Sequence, residues 1–171
     1  QYFDGKAYNG YAPDEAMVMK EGHAQNSVHS FMHGIFTRGI LMDIPRLKGV
    51  PYLEPGMPIY VEDLEAWEKE AGVKVSAGDA IFIRTGRWAA RKAIGPFYAG
   101  RSHREGRTAG LDASVLPWLK QRDVALIGSD ASPFVHPAPP HLVGAVHDFS
   151  LIVLGTIGFD ICDLEAVAEA A

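Results

Sequence analysis

Residues 61–84 read VEDLEAWEKEAGVKVSAGDAIFIR, and two periods follow one another within them. Val61, Leu64 and Trp67 recur at helical spacing and share one face. Glu62 and Asp63 fall in the first turn, where acids favour the positive end of the helix dipole. Gly72 is a natural stop, because glycine takes the left-handed conformation that closes a helix. The run from Asp79 to Arg84 is apolar between its charged ends and short, which suits a strand buried on both faces. A helix feeding such a strand is the unit of an α/β fold.

The same alternation extends outward. Residues 39–44 (GILMDI) form an apolar run bounded by Arg38 and Pro45, and Val124 to Gly128 form another. Residues 156–159 read as a fourth strand. Residues 88–94 suit a short helix, Asp112 is placed to cap a helix running to Gln121, and Asp163 to cap the closing one. Residues 142–154 read as a buried helix and residues 16–31 as loosely helical, interrupted by Gly22. Three stretches read as irregular: 51–58 with three prolines, 98–110 with three glycines, and 132–141 with four prolines. The expectation is one α/β domain over residues 1–171 with a largely parallel, buried sheet.

Bulk composition narrows the function. The 171 residues carry a net charge of −5, and 47% are hydrophobic, which suffices for one domain with a real core. The basic residues are scattered, and the densest run, Arg101 to Arg107, contains Glu105 and no aromatic, so no nucleic-acid partner is expected. No apolar run approaches the roughly 20 residues of a membrane span. Cys162 is the single cysteine, which precludes an internal disulfide and reads as structural. The expected location is the cytoplasm. The chain opens on Gln1 without a methionine and closes on AVAEAA, so both ends read as cut.

Several constellations carry potential chemistry. His29 and His33 stand four apart, the spacing by which one helix face hands two imidazoles to a metal. A zincin helix needs glutamate directly after the first histidine, and Ser30 stands there, so the pair reads as helix surface. His147 lies in an apolar segment, where an imidazole needs a partner or a ligand, and Asp160 follows a strand end, where α/β sites gather. Asp130, just after the third strand, is a candidate to bind substrate, orient a partner or stabilise its turn. Arg84 is a candidate to pair with a buried carboxylate, Asp43 or Asp130, or to meet an anionic substrate. No Gly-x-Ser-x-Gly elbow, phosphate loop or dinucleotide fingerprint occurs.

Five stretches taken together carry a family resemblance. They are FDGKAYNG (3–10), TRGILMDIPRLKG (37–49), YLEPGMPIYVEDLEAWEKEAGVKVSAGDAIFIRTGR (52–87), VALIGSD (124–130) and VHDFSLIVLGTIGFDICDLEAVAEA (146–170). In this order they resemble the cyclase family of metal-dependent hydrolases, which includes bacterial kynurenine formamidase and isatin hydrolase. The resemblance implies a swivelling β/β/α domain, incomplete here at both ends. It implies a divalent cofactor, zinc or manganese, that activates water against an amide or lactam carbonyl. It further implies a small-molecule carbonyl substrate and a homo-oligomer.

The family's H-x-G-T-H-x-D motif, with its main ligands and the catalytic histidine after it, lies ahead of the stretch that begins this chain. Two positions carry over as metal-site residues. His147 matches a histidine at the metal site, and Asp160 matches an acidic ligand that is usually glutamate, one methylene longer. Asp130 remains the substrate-binding candidate. A catalytic site normally takes three protein ligands, so the chain as given is expected to bind no metal stably. The competing expectation is a non-catalytic homologue that has lost the motif and acts as a binding or structural protein.

Overall fold

Four parallel strands form the centre of the computed structural model, which describes residues 2–3, 6–7, 10–12, 27–95, 108–131, 157–159 and 162–171. In chain order, β1 (Tyr2–Phe3) and β2 (Lys6–Ala7) pair antiparallel. Then come β3 (Gly39–Asp43), α1 (Ile44–Leu47), β4 (Pro58–Ile59), α2 (Val61–Ala71), β5 (Ala80–Arg84) and α3 (Arg87–Ile94). They are followed by β6 (Gly110–Leu111), α4 (Leu116–Gln121), β7 (Leu126–Ser129), β8 (Ile157–Phe159) and α5 (Glu165–Ala170). The main sheet runs β3-β5-β7-β8, every pair parallel, and β4 pairs parallel with β6 beside it. The expected α/β architecture with a parallel sheet is what forms.

Register explains the burial. Ile40, Ile81 and Ile127 lie abreast, as do Met42, Ile83 and Ser129, and together they make one face of the sheet. All six are buried, and the five apolar ones pack among Ile59, Leu64, Leu111 and Leu119 from the elements laid over that face. Each fully buried side chain of this size contributes about 1.5–3 kcal/mol. The other face carries Leu41, Phe82, Gly128 and Phe159 abreast. Phe82 lies over Gly128: a Cβ there would overlap Phe82 Cδ1 and stand 2.7 Å from Cε1. Gly128→Ala is therefore expected to cost about 1–3 kcal/mol through overpacking. In urea denaturation the loss should shrink when Phe82→Ala is added, and an additive double mutant contradicts the overlap.

Ion pairs of opposite polarity pin both ends of the β3–β5 ladder. Before the strands, Arg38 Nε and Nη2 donate to the two carboxylate oxygens of Asp79 at 2.9 and 2.6 Å. This guanidinium holds the Asp79 carboxyl below the usual carboxylate range. At the far end, Arg84 Nη1 donates to Asp43 Oδ1 at 2.9 Å. A slip of one residue would break both pairs and turn the core face outward. Along the outer side of β3, Trp67 Nε1 donates to the Leu41 carbonyl at 2.7 Å, bringing α2 against the strand.

Local expectations mostly correspond to elements. The helix at 61–71 ends at Gly72, left-handed with φ 65°, whose N–H donates to the Glu68 carbonyl. Asp112 accepts from Ser114 N, but it caps a 3-10 turn at Ala113–Val115 that leads into α4, with Pro117 in the first turn. Asp163 accepts from Glu165 N at 3.2 Å, satisfying the first amide of α5. Two of the irregular stretches contribute strands: Pro58 and Gly110 are register partners in the β4–β6 pair. The apolar run at 39–44 divides at Asp43, whose carboxylate accepts from Arg46 N and starts α1 with Pro45 in its first turn.

The largest correction concerns His29 and His33. Val28–Phe31 is a 3-10 helix, capped by Ser27, and not part of an α-helix. Three residues per turn and an end at Phe31 remove the shared helix face; both histidines are exposed. The rest of the expected 16–31 helix, the 142–154 helix and residues 132–141 lie outside the described residues.

Candidate functional site

In parallel sheets, loops that leave the carboxyl ends of the strands build the sites. Here β5 leads into Thr85-Gly86-Arg87 and β7 into Asp130-Ala131. Asp130 is wholly buried and joins the two strand ends. Its Oδ1 accepts from Thr85 N and Thr85 Oγ1, both at 2.8 Å. Its Oδ2 accepts from Gly86 N at 2.9 Å and Arg87 N at 3.1 Å. Four donors on two oxygens suit the ionised, acceptor-only carboxylate. Burial nonetheless pushes its pKa above the ordinary carboxylate value, with the hydrogen bonds pulling against it. The carboxylate also sits at the amino end of α3 and caps it from the neighbouring strand.

Gly86 makes this turn possible. Its φ is 77°, and a Cβ there would stand 2.7 Å from the Pro51 carbonyl oxygen and from Tyr52 Cα. The 51–53 segment can therefore lie against the turn, where Leu53 N donates to the Thr85 carbonyl at 2.9 Å. Between them opens a cleft lined by Leu53, Pro55, Thr85, Arg87, Ala90, Thr108, Ala109 and Ala131. It offers about 20 Å³, room for one water-sized group.

Arg84, the last residue of β5, bridges two acids. Beside its bond to Asp43, its Nε and Nη2 donate to Glu165 Oε1 and Oε2 at 3.3 and 3.0 Å. The structural ion pair considered for Arg84 is thus made with Asp43, while Asp130 is engaged elsewhere. Glu165 begins α5, so the pair ties the closing helix to the same edge of the sheet. Nearby, Trp88 Nε1 donates to the Cys162 carbonyl at 3.0 Å and Cys162 N donates to the Ser129 carbonyl at 2.8 Å.

The site residues expected from sequence divide as follows. Asp130 is at the strand edge, holding the 85–87 turn behind the cleft wall. His147 and Asp160 lie outside the described residues. Among the described residues, no group of three or more His, Cys, Asp and Glu is placed to hold a metal ion. Thr85, Arg87 and Thr108 were not expected. A signal for the first two existed, since Arg84-Thr85-Gly86-Arg87 and Ser129-Asp130 both follow buried strands.

Comparison with known proteins gives this edge of the sheet a context. The model of the Cyclase family, described as "Putative cyclase", matches residues 15–134, well over half of the chain. The chain belongs to the cyclase family. A crystal structure of a "novel cyclase" superposes on this cyclase-family chain with a TM-score of 0.79 at 26% identity, covering 99% of this chain and 55% of that one. An isatin hydrolase bound to the product analogue thioisatinate matches with a TM-score of 0.58 at 17% identity, over 75% and 48%. Isatin hydrolase A from Ralstonia solanacearum matches with 0.57 at 16%, over 94% and 53%. The chain thus spans about half the length of these solved proteins, and the last two likenesses are of fold alone. No curated protein sequence matches it. Among the described residues, no helix is long and apolar enough to cross a membrane.

Proposed function

We propose that this cyclase-family chain belongs to a metal-dependent hydrolase that cleaves the C–N bond of an amide, lactam or related carbonyl compound. Family membership carries the reading, and the fold shared with the isatin hydrolases agrees with it. Zinc or manganese is the cofactor in this proposal, His147 and Asp160 are its ligands from this chain, and the assembly is a homo-oligomer. The described residues do not form a metal site by themselves. Their part is to build the strand edge: Asp130 fixes the turn at 85–87, and Arg84 fixes α5 through Glu165.

The test is hydrolysis of isatin and N-formylkynurenine by the natural protein containing this chain, after chelation and after return of zinc or manganese. Activity on one of them should require the metal, and His147→Ala should lower kcat/KM at least about 100-fold, near the upper range for loss of a metal-site partner. Full activity in His147→Ala, or hydrolysis of neither compound under any metal, counts against the reading.

A further inference from the structure

Residues 29–39 are exposed at every position, although the segment carries Phe31, Met32, Ile35 and Phe36. Met32 is 63% exposed and Phe36 wholly so. Other large apolar side chains exposed among the described residues, such as Val50, Val73 and Ile94, are scattered along the chain and need no explanation. A loose backbone does not account for the segment. Ser27 Oγ accepts from His29 N and the Ser27 carbonyl from Ser30 N, while Gly34 N donates to the Phe31 carbonyl at 2.8 Å. Gly34 then turns the chain with φ 81°. At the far end, Thr37 Oγ1 donates to the Gly78 carbonyl, and Arg38 binds Asp79 and the Lys74 carbonyl. Four apolar side chains are thus held in solvent on an ordered backbone that is fixed just ahead of β3.

We propose that residues 31–36 seat a further part of the cyclase fold, one that these 171 residues do not contain. The solved cyclase superposes on 99% of this chain with only 55% of its own length, so the remainder has no counterpart here. A part of that size closes on the shared body through apolar contact, and this segment is an apolar face left open for it. A lipid surface is disfavoured, since such faces draw on Lys and Arg beside the apolar residues. The segment has one of these, Arg38, and Asp79 holds it. A second copy of this chain would cover the face but would not account for the added length of the solved cyclase. The proposal rests on family membership and stands whether or not the protein is a hydrolase.

The thiol of Phe36→Cys, made together with Cys162→Ser, tells whether the face is covered. In the full-length natural protein it should react with iodoacetamide at least about tenfold more slowly than after unfolding in urea. In the 171-residue chain it should react within about twofold of the unfolded rate. Phe36→Ser should lower Tm by at least about 5 °C in the natural protein, as the loss of a covered aromatic does. In the 171-residue chain the same change should move Tm by no more than about 2 °C, the level of an ordinary surface change. Equal reactivity of the thiol in the two proteins overturns the proposal. Protection that is lost on dilution to the monomer assigns the face to a second copy and overturns it as well. Protection that appears only with phosphatidylglycerol vesicles assigns the face to a membrane, with the same consequence.

Discussion

Asp130→Ala is expected to lower the unfolding free energy by roughly 3–6 kcal/mol, because several buried donors lose their acceptor together. Thr85 N, Thr85 Oγ1, Gly86 N and Arg87 N all converge on this carboxylate, and the space it vacates is enclosed. A domain's total stability is commonly about 5–15 kcal/mol, so the variant should be marginal at 25 °C. Asp130→Asn keeps the volume and one acceptor oxygen but turns an NH2 group toward two of the donors. It should fall between the natural chain and Asp130→Ala in urea denaturation. If Asp130→Ala unfolds within about 0.5 kcal/mol of the natural chain, the level of an ordinary surface change, the carboxylate does not hold the turn.

Arg84→Ala is the second large effect, at about 3–5 kcal/mol, the usual cost of leaving one charge of a buried pair uncompensated. The penalty is unequal between its two acids. The Asp43 side chain is 3% exposed and cannot rehydrate, whereas that of Glu165 is 28% exposed and can. Glu165→Ala should accordingly cost much less than Arg84→Ala. Adding Asp43→Asn to Arg84→Ala should recover part of the loss, because the stranded charge is then removed. Arg84→Lys should not substitute, since the three bonds leave from three nitrogens of a planar fork, whereas the donors of an ammonium diverge from a single nitrogen. Equal costs for Arg84→Ala and Glu165→Ala in the same denaturation series rule out this division.

What could be read from the sequence follows from how local each cause is. The main strands were legible because a strand covered on both faces must be a continuous apolar run, as at Ala80–Ile83 and Leu126–Ile127. Strands β4 and β6 were not, because two residues beside prolines and glycines become a strand only by meeting each other. The break at Asp43 was missed because Ile44 continues the apolar run while Pro45 belongs to a first helical turn. At the site, Asp43 was one of two carboxylates, with Asp130, expected as a partner for Arg84, and the pair forms with Asp43. Glu165, 81 residues along the chain from Arg84, gave no such cue. The four donors to Asp130 were likewise hidden, since three are backbone amides and carry no side-chain signature. His29 and His33 misled because a spacing of four has meaning only on an α-helix, and Ser27 starts a 3-10 turn instead.

The indole of Trp67 has a consequence for how the protein behaves in a crowded solution. Among the described residues strand β3 stands at one end of the sheet, and an end strand offers a row of backbone groups to any foreign strand that drifts alongside. With the Leu41 carbonyl already taken by the indole and α2 lying against the strand, that row is interrupted at its centre. This end of the described sheet is thereby made a poorer template for a foreign strand, and one aromatic side chain both fills the core and covers the strand's open side.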